Sequence, residues 1–152
     1  GDMDNASSFW TGASDGNGDG IFVDTTESLY AWQHLTLANL IEGSYTGSGW
    51  YKAGINIPTL SVADGAGVGL YYAATETVSW PYAKNSFILG KERNGLLNIF
   101  ALFTPTEAKS IDIKIDDGKR TTGSTRGVDG LEVPDGDCAA LLHLVSCFSI
   151  RP

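Results

Sequence analysis

The sequence predicts an α+β domain, and three observations carry the prediction. Residues 27–42 have the apolar density and the flanking signals of a buried helix. Asn94-Gly95 divides two strand-like segments, and Thr104-Pro105 opens a second, shorter helix. The composition sets the frame: 42% hydrophobic residues, 18% charged residues and 19 glycines describe a turn-rich folded chain of α+β or all-β character. The two helix signals decide for α+β. At 152 residues the chain is one domain, large enough for a single core.

The elements follow in chain order. Four glycines and two aspartates in residues 11–20 make a loop. Asp24 then stands as N-cap with Glu27 at N3, a capping box in which each group satisfies an orphan backbone N–H of the first turn. Leu29, Tyr30, Ala31, Trp32, Leu35, Leu37, Ala38, Leu40 and Ile41 leave little of the circumference polar, so this helix must bury more than one side. Gly43 is the expected stop. Residues 43–54 read as a surface loop pinned by Tyr45, Trp50 and Tyr51, and residues 55–69, with Pro58 and the triplet Gly65, Gly67 and Gly69, as turns and an irregular edge.

Segments 68–75, 86–92 and 96–103 have strand character. Because a type I′ turn needs positive φ at both central residues, Asn94-Gly95 predicts that 86–93 and 96–103 pair as an antiparallel hairpin. Pro105 at N1 and Glu107 at N3 predict a helix over 105–117, with Ala108, Ile111 and Ile115 on its inner face and Gly118 closing it. The period-two pattern of Ile111, Ile113 and Ile115 is the competing strand reading. Residues 119–137 read as a polar connection and 139–150 as a last strand.

A net charge of −8 argues against nonspecific binding to nucleic acid or an anionic membrane, which needs clustered cations for counterion release. Lys109, Lys114, Lys119, Arg120 and Arg126 form the densest basic stretch, either a solvated face or the seat of an acidic partner. No apolar run is long enough to span a bilayer, and no signal peptide is visible. Cys138 and Cys147 are the two cysteines, without a CxxC motif or neighbouring zinc ligands. They read as a disulfide, worth about 2.5–3 kcal/mol on the loop-entropy model, or as two buried thiols. The disulfide places the chain in the periplasm or outside the cell.

The clearest chemical motif is the loop DGNGDGIF at residues 15–22. Asp15, Asn17 and Asp19 at alternate positions, Gly20 for the sharp turn and the Ile21 carbonyl match the first half of an EF-hand-like Ca²⁺ loop. The second half departs from it: Thr26 stands where a bidentate Glu belongs, so Asp24 or Glu27 would have to complete the sphere while also capping the helix. A solvated Gly/Asp/Asn turn is the plainer reading. Catalytic candidates are sparse. His34 and His143 sit on apolar backgrounds as structural histidines, Ser146 lacks a nucleophile elbow, and a disulfide would consume both thiols. Asp112, Asp116 and Asp117 form an acidic cluster whose expected role is helix surface or turn capping rather than paired-carboxylate chemistry. No P-loop, GxGxxG fingerprint or HExxH motif is present. The sequence therefore predicts a non-enzyme. Trp50, Tyr51, Tyr71, Tyr72, Trp80 and Tyr82 concentrate mid-chain, either as packing residues or as an adhesive, carbohydrate-contacting surface.

Four segments in order also carry a family likeness: GD..NA..FW at residues 1–10, NGDG at 17–20, ESLYAWQHLTLANLIEGSYTG at 27–47, and TPTEAKSIDIKIDDG at 104–118. Together they resemble the globular headgroup of type IV pilin-like proteins, specifically bacterial proteins with a prepilin-type N-terminal cleavage and methylation segment. The resemblance implies a pilin-like headgroup in which the long helix packs on an antiparallel sheet, with a short second helix and a C-terminal disulfide loop joining Cys138 and Cys147. It implies that residues 1–10 are the remnant or linker of an N-terminal membrane helix lacking from these 152 residues. The function implied is that of a non-catalytic structural subunit, a minor pilin or pseudopilin, of a type IV pilus or type II secretion-like filament. Its partners would be other pilin or pseudopilin subunits, without nucleic acid, and its contact with the membrane would run only through that helix. Such a subunit is anchored in the inner membrane before assembly and then lies in the periplasm or at the cell surface. The competing expectation is a secreted Ca²⁺-dependent adhesion or carbohydrate-binding module.

Overall fold

The computed structural model describes residues 3–22, 25–72, 85–93, 96–100, 102–119, 122–129 and 146–150. Among these, three helices and five strands run in the order α1 (Ala6–Phe9), α2 (Thr25–Leu37), β1 (Ala66–Tyr72), β2 (Asn85–Arg93), β3 (Leu96–Phe100), α3 (Pro105–Ile115), β4 (Thr125–Asp129) and β5 (Ser146–Ile150). The α+β expectation holds, with α2 resting on β1 of a wholly antiparallel sheet.

Helix α2 starts near the expected place, with Glu27 in the first turn where the helix dipole favours an acid. The expected N-cap Asp24 lies outside the described residues. The helix ends at Leu37, well before Gly43. Asn39 takes φ 55°, its N–H bonds Thr36 O at 2.9 Å, and Leu40 N–H reaches back to Leu35 O at 2.9 Å. This is a Schellman stop with Asn, the residue that best replaces glycine in the left-handed region, at C′.

Strand β2 is the hub of the sheet. Along one edge it pairs with β1 from Ala66↔Lys91 to Tyr72↔Asn85. Its other edge is shared: Phe87–Leu89 pair with β5, while Lys91 and Arg93 pair with β3 across a bulge. The predicted hairpin around Asn94-Gly95 is therefore present, with Arg93 opposite Leu96. β4 pairs with β5 from Thr125↔Ile150 to Asp129↔Ser146. A strand thus lies inside what reads as a polar connection. TRGVD has no apolar alternation of its own, and β5 supplies the template. Cys147 stands opposite Val128 in this ladder; Cys138, and with it the expected disulfide, lies outside the described residues.

Two of the three glycines, Gly67 and Gly69, are part of the sheet rather than of a run of turns. Gly65 turns the chain at φ 69°, but Gly67 is in β1 because the preceding segment crosses it closely. A Cβ on Gly67 would stand 2.7 Å from Ile57 Cδ1 and 2.9 Å from Pro58 O. Val68 N–H bonds Pro58 O and Tyr72 N–H bonds Phe22 O, so loop segments cover the outer edge of β1. A covered edge cannot template pairing with another chain.

The core joins Phe22, Leu29, Ala31, Trp32, Tyr51, Ile57 and Leu70, with Leu35, Ile41, Tyr45, Val68 and Phe87 packed around it. Ile88 alternates with Phe87 along β2 and is fully buried, so both faces of β2 are covered. In α3 the capping box is complete: Thr104 Oγ1 accepts Glu107 N–H at 3.3 Å, and Glu107 Oε2 accepts Thr104 N–H at 2.9 Å. The helix reading of this segment holds, but its inner face differs. Ala108 and Asp112 are buried and Ile111 is half-buried, whereas Ile113 and Ile115 are 60% and 54% exposed.

Candidate functional site

The apolar excess of α2 is taken up on two sides. One meets the sheet through Leu70 and Phe87. The other meets the N-terminal arm, where Trp10 stacks against His34 at 6.1 Å, and Tyr30 of α2 stacks against the same ring at 6.5 Å. His34 Nε2 is 2.7 Å from Ser14 O, which assigns the proton to Nε2; Nδ1 is buried and has no hydrogen-bond partner. The ring is thus held by packing and by the Ser14 carbonyl. Of the arm's two adjacent aromatics, Phe9 is 65% exposed and Trp10 is half-buried against α2. Between arm, helix and sheet lies an apolar cavity of about 380 Å³, lined by Met3, Trp10, Phe22, Leu35, Ala38 and Leu40 among others. Leu40 at its rim is 71% exposed.

The Gly/Asp loop beside this arm uses its polar atoms locally. Asp15 Oδ1 accepts Ser7 N–H and Oδ2 accepts the Ser7 hydroxyl, both at 2.7 Å. Asn17 Oδ1 accepts Asp19 N–H at 2.9 Å, Asn17 Nδ2 donates to Asp19 Oδ2 at 3.1 Å, and Asp19 Oδ1 accepts Ile21 N–H at 2.8 Å. Glu27 is half-buried in the first turn of α2. Asp15 therefore serves as a clasp between the loop and α1. The Ser7 backbone bond, then its hydroxyl bond, hold the Asp15 carboxyl below its ordinary pKa against a smaller opposing desolvation. A depressed native pKa stabilises the fold above the ordinary carboxylate range and loses that stabilisation as pH falls through the native value. Asp15→Asn is expected to be less stable than the parent at pH 7, with the gap closing between about pH 5 and pH 2. Urea unfolding across that range checks it; a gap independent of pH refutes the clasp.

A second acidic constellation forms at the end of α3. One carboxylate oxygen from each of Asp112, Asp116 and Asp117 can be chosen so that all lie within 4.8 Å of one another. Asp116 is the C-cap of α3, and its N–H bonds Asp112 O at 2.7 Å. Gly118, at φ 71°, then reverses the chain and its N–H donates to the Asp112 carboxylate. The returning loop is threaded onto the others: Lys119 N–H bonds Asp117 Oδ1 at 2.9 Å, Thr122 Oγ1 bonds Asp117 Oδ2 at 2.5 Å, and Thr125 N–H bonds Asp116 Oδ2 at 2.7 Å. Gly123 at φ 75° is required there, since a Cβ would stand 2.0 Å from Asp116 Oδ2. Asp112 is not the surface residue its charge suggests; it is 3% exposed. Desolvation, then the charges of Asp117 and Asp116, raise its pKa, with the Gly118 bond opposing. This all-oxygen donor set can hold a metal ion of the hard class.

The aromatic cluster does not form a single surface. Trp50 is 65% exposed, but Tyr51 is fully buried and donates its hydroxyl to Leu70 O at 2.9 Å. Tyr71 and Tyr72 are half-buried in β1, and Trp80, Tyr82 and His143 lie outside the described residues. Among the described residues no helix is long and apolar enough to cross a membrane. No family model, no curated protein and no solved structure matches the chain.

Proposed function

We propose that this chain is the headgroup of a pilin-like filament subunit, a minor pilin or pseudopilin whose role is structural. The observation that carries the reading is the apolar cavity beside the N-terminal arm. Met3 and Trp10 form one wall, and Leu35 of α2 with Ala38 and Leu40 just past its end form another. An apolar helix leading into the arm would find there a seat lined by apolar side chains apart from His34, and burial of that seat would fix headgroup to helix. The order of the sequence segments, with the capped α2 before the antiparallel sheet and the Thr104–Glu107 box after it, supports the same reading. Neighbouring subunits, rather than a small molecule, are its partners in this reading. Ca²⁺ is a stabiliser in it and not a reactant.

The coding sequence upstream of Gly1 tests the proposal. A Gly-Phe-Thr-Leu-x-Glu-like site followed by about twenty apolar residues is expected. A conventional cleavable signal peptide directly before Gly1 overturns it.

A further inference from the structure

We infer that Asp112, Asp116 and Asp117 form a Ca²⁺ site that locks the end of α3 to the start of β4. The inference is independent of the filament reading. It rests on two observations: the convergence of three carboxylates within 4.8 Å, and Asp112 Oδ1, which has no hydrogen-bond partner on a side chain only 3% exposed. A buried carboxylate oxygen without a donor is among the most costly groups a fold can retain. Here the side chain that carries it converges with two further carboxylates.

The surroundings make the arrangement worse for the chain alone and better for a cation. The cluster lies at the C-terminal end of α3, where the helix dipole is negative and disfavours acids. The Gly118 reversal and the bonds from Lys119, Thr122 and Thr125 fix the carboxylates in place, so the oxygens cannot easily separate. Each carboxylate retains lone pairs beyond these bonds. Two ligands of one Ca²⁺ stand at most about 4.6–5.2 Å apart, given Ca–O distances of about 2.3–2.6 Å, so a single ion can touch all three carboxylates. Ca²⁺ tolerates such an irregular, partly hydrated sphere, whereas Mg²⁺ demands a near-ideal octahedron of shorter bonds. The ion would neutralise half-buried Asp116 and exposed Asp117, satisfy Asp112 Oδ1 and tie Asp116, which accepts the Thr125 N–H, to the helix.

Thermal unfolding of the whole chain in EDTA, in Ca²⁺ and in Mg²⁺, with calorimetric titration of Ca²⁺, tests this. With Ca²⁺ a hundredfold above its Kd, a rise in Tm of about 5–10 °C is expected, with one ion bound and a smaller response to Mg²⁺. Asp112→Asn should match or exceed the parent's Tm in EDTA, since it removes the unmatched charge, yet bind Ca²⁺ at least tenfold more weakly. Asp117→Asn, at an exposed position that cannot endanger the core, should also weaken binding about tenfold. Asp15→Asn with Asp19→Asn should leave the Ca²⁺ response unchanged. An unresponsive parent, or responses undiminished in both Asp112→Asn and Asp117→Asn, overturns the site. Loss of the response in the Asp15/Asp19 variant alone would move the ion to the Gly/Asp loop and equally overturn it.

Discussion

Replacing Tyr51 with alanine is expected to cost about 3–5 kcal/mol of unfolding free energy, and replacing it with phenylalanine only about 1–2 kcal/mol. Among the described residues Tyr51 is the largest fully buried side chain. It sits in the loop between α2 and β1 and joins the cluster that α2 forms with Leu70 and Ile57. Truncation removes the ring from a packed site between helix and sheet, where neighbours anchored on rigid elements cannot collapse into the space. Phenylalanine keeps the packing and removes the 2.9 Å bond to Leu70 O. Equilibrium urea unfolding of the three proteins, with unchanged m-values, gives the comparison. If phenylalanine costs as much as alanine, the hydroxyl rather than the ring holds this loop to β1.

The same residue shows where sequence reading stops. GSYTGSGWYKAG is rich in glycine, serine and hydroxyl groups, which is the composition of a surface loop, and Trp50 beside it is indeed exposed. Nothing local distinguishes Tyr51 from Trp50; only the position of Leu70 O does. Features set by neighbours in sequence were legible: the Thr104–Glu107 box needs only residues three apart, the Asn94-Gly95 hairpin only a two-residue turn. The stop of α2 was misplaced because Asn39 competes with Gly43 for the left-handed position, and the nearer of the two ends the helix. Asn39 at C′ was a readable signal. The strand at Thr125–Asp129 and the burial of Asp112 were not readable in this way, because β5 and the returning loop create them. Of the acidic groups, the Gly/Asp loop has the motif, but its carboxylates bond Ser7 and its own backbone. The cluster after α3 lacks a motif and has the unmatched oxygen. The pattern of ligand spacing and the energetic need for a ligand thus point to different places.

Gln33→Ala is expected to cost about 2–4 kcal/mol and to loosen the N-terminal arm selectively. Gln33 is 7% exposed, and its amide ties α2 to two segments at once. Oε1 accepts Ser14 N–H at 3.0 Å, while Nε2 donates to Gly12 O at 3.2 Å and Thr46 O at 3.0 Å. The fit is close enough that a Cβ on Gly47, at φ 67°, would stand 2.6 Å from Oε1. The next residue of α2 adds a fourth bond, from His34 Nε2 to Ser14 O. Ser14 is thereby held at both its N–H and its carbonyl by consecutive helix residues. Alanine leaves these partners unmatched, and hydrogen exchange at Ser14 should accelerate far more than exchange in β2. Gln33→Glu separates bonding from packing. Its carboxylate can still accept from Ser14 but faces two carbonyl oxygens, so its native pKa is raised. A raised carboxyl pKa means that stability lost at pH 7 returns as pH falls through the native value, because the protonated acid can donate to Gly12 O or Thr46 O. Gln33→Glu should therefore regain stability relative to the parent on acidification, whereas Gln33→Ala should not. A Gln33→Glu deficit that does not shrink would mean that the arm is held by the Trp10–His34 stack and not by the amide. In the filament reading this clamp has a mechanical meaning. It sets the direction in which the arm leaves α2, and so the angle at which headgroup meets helix.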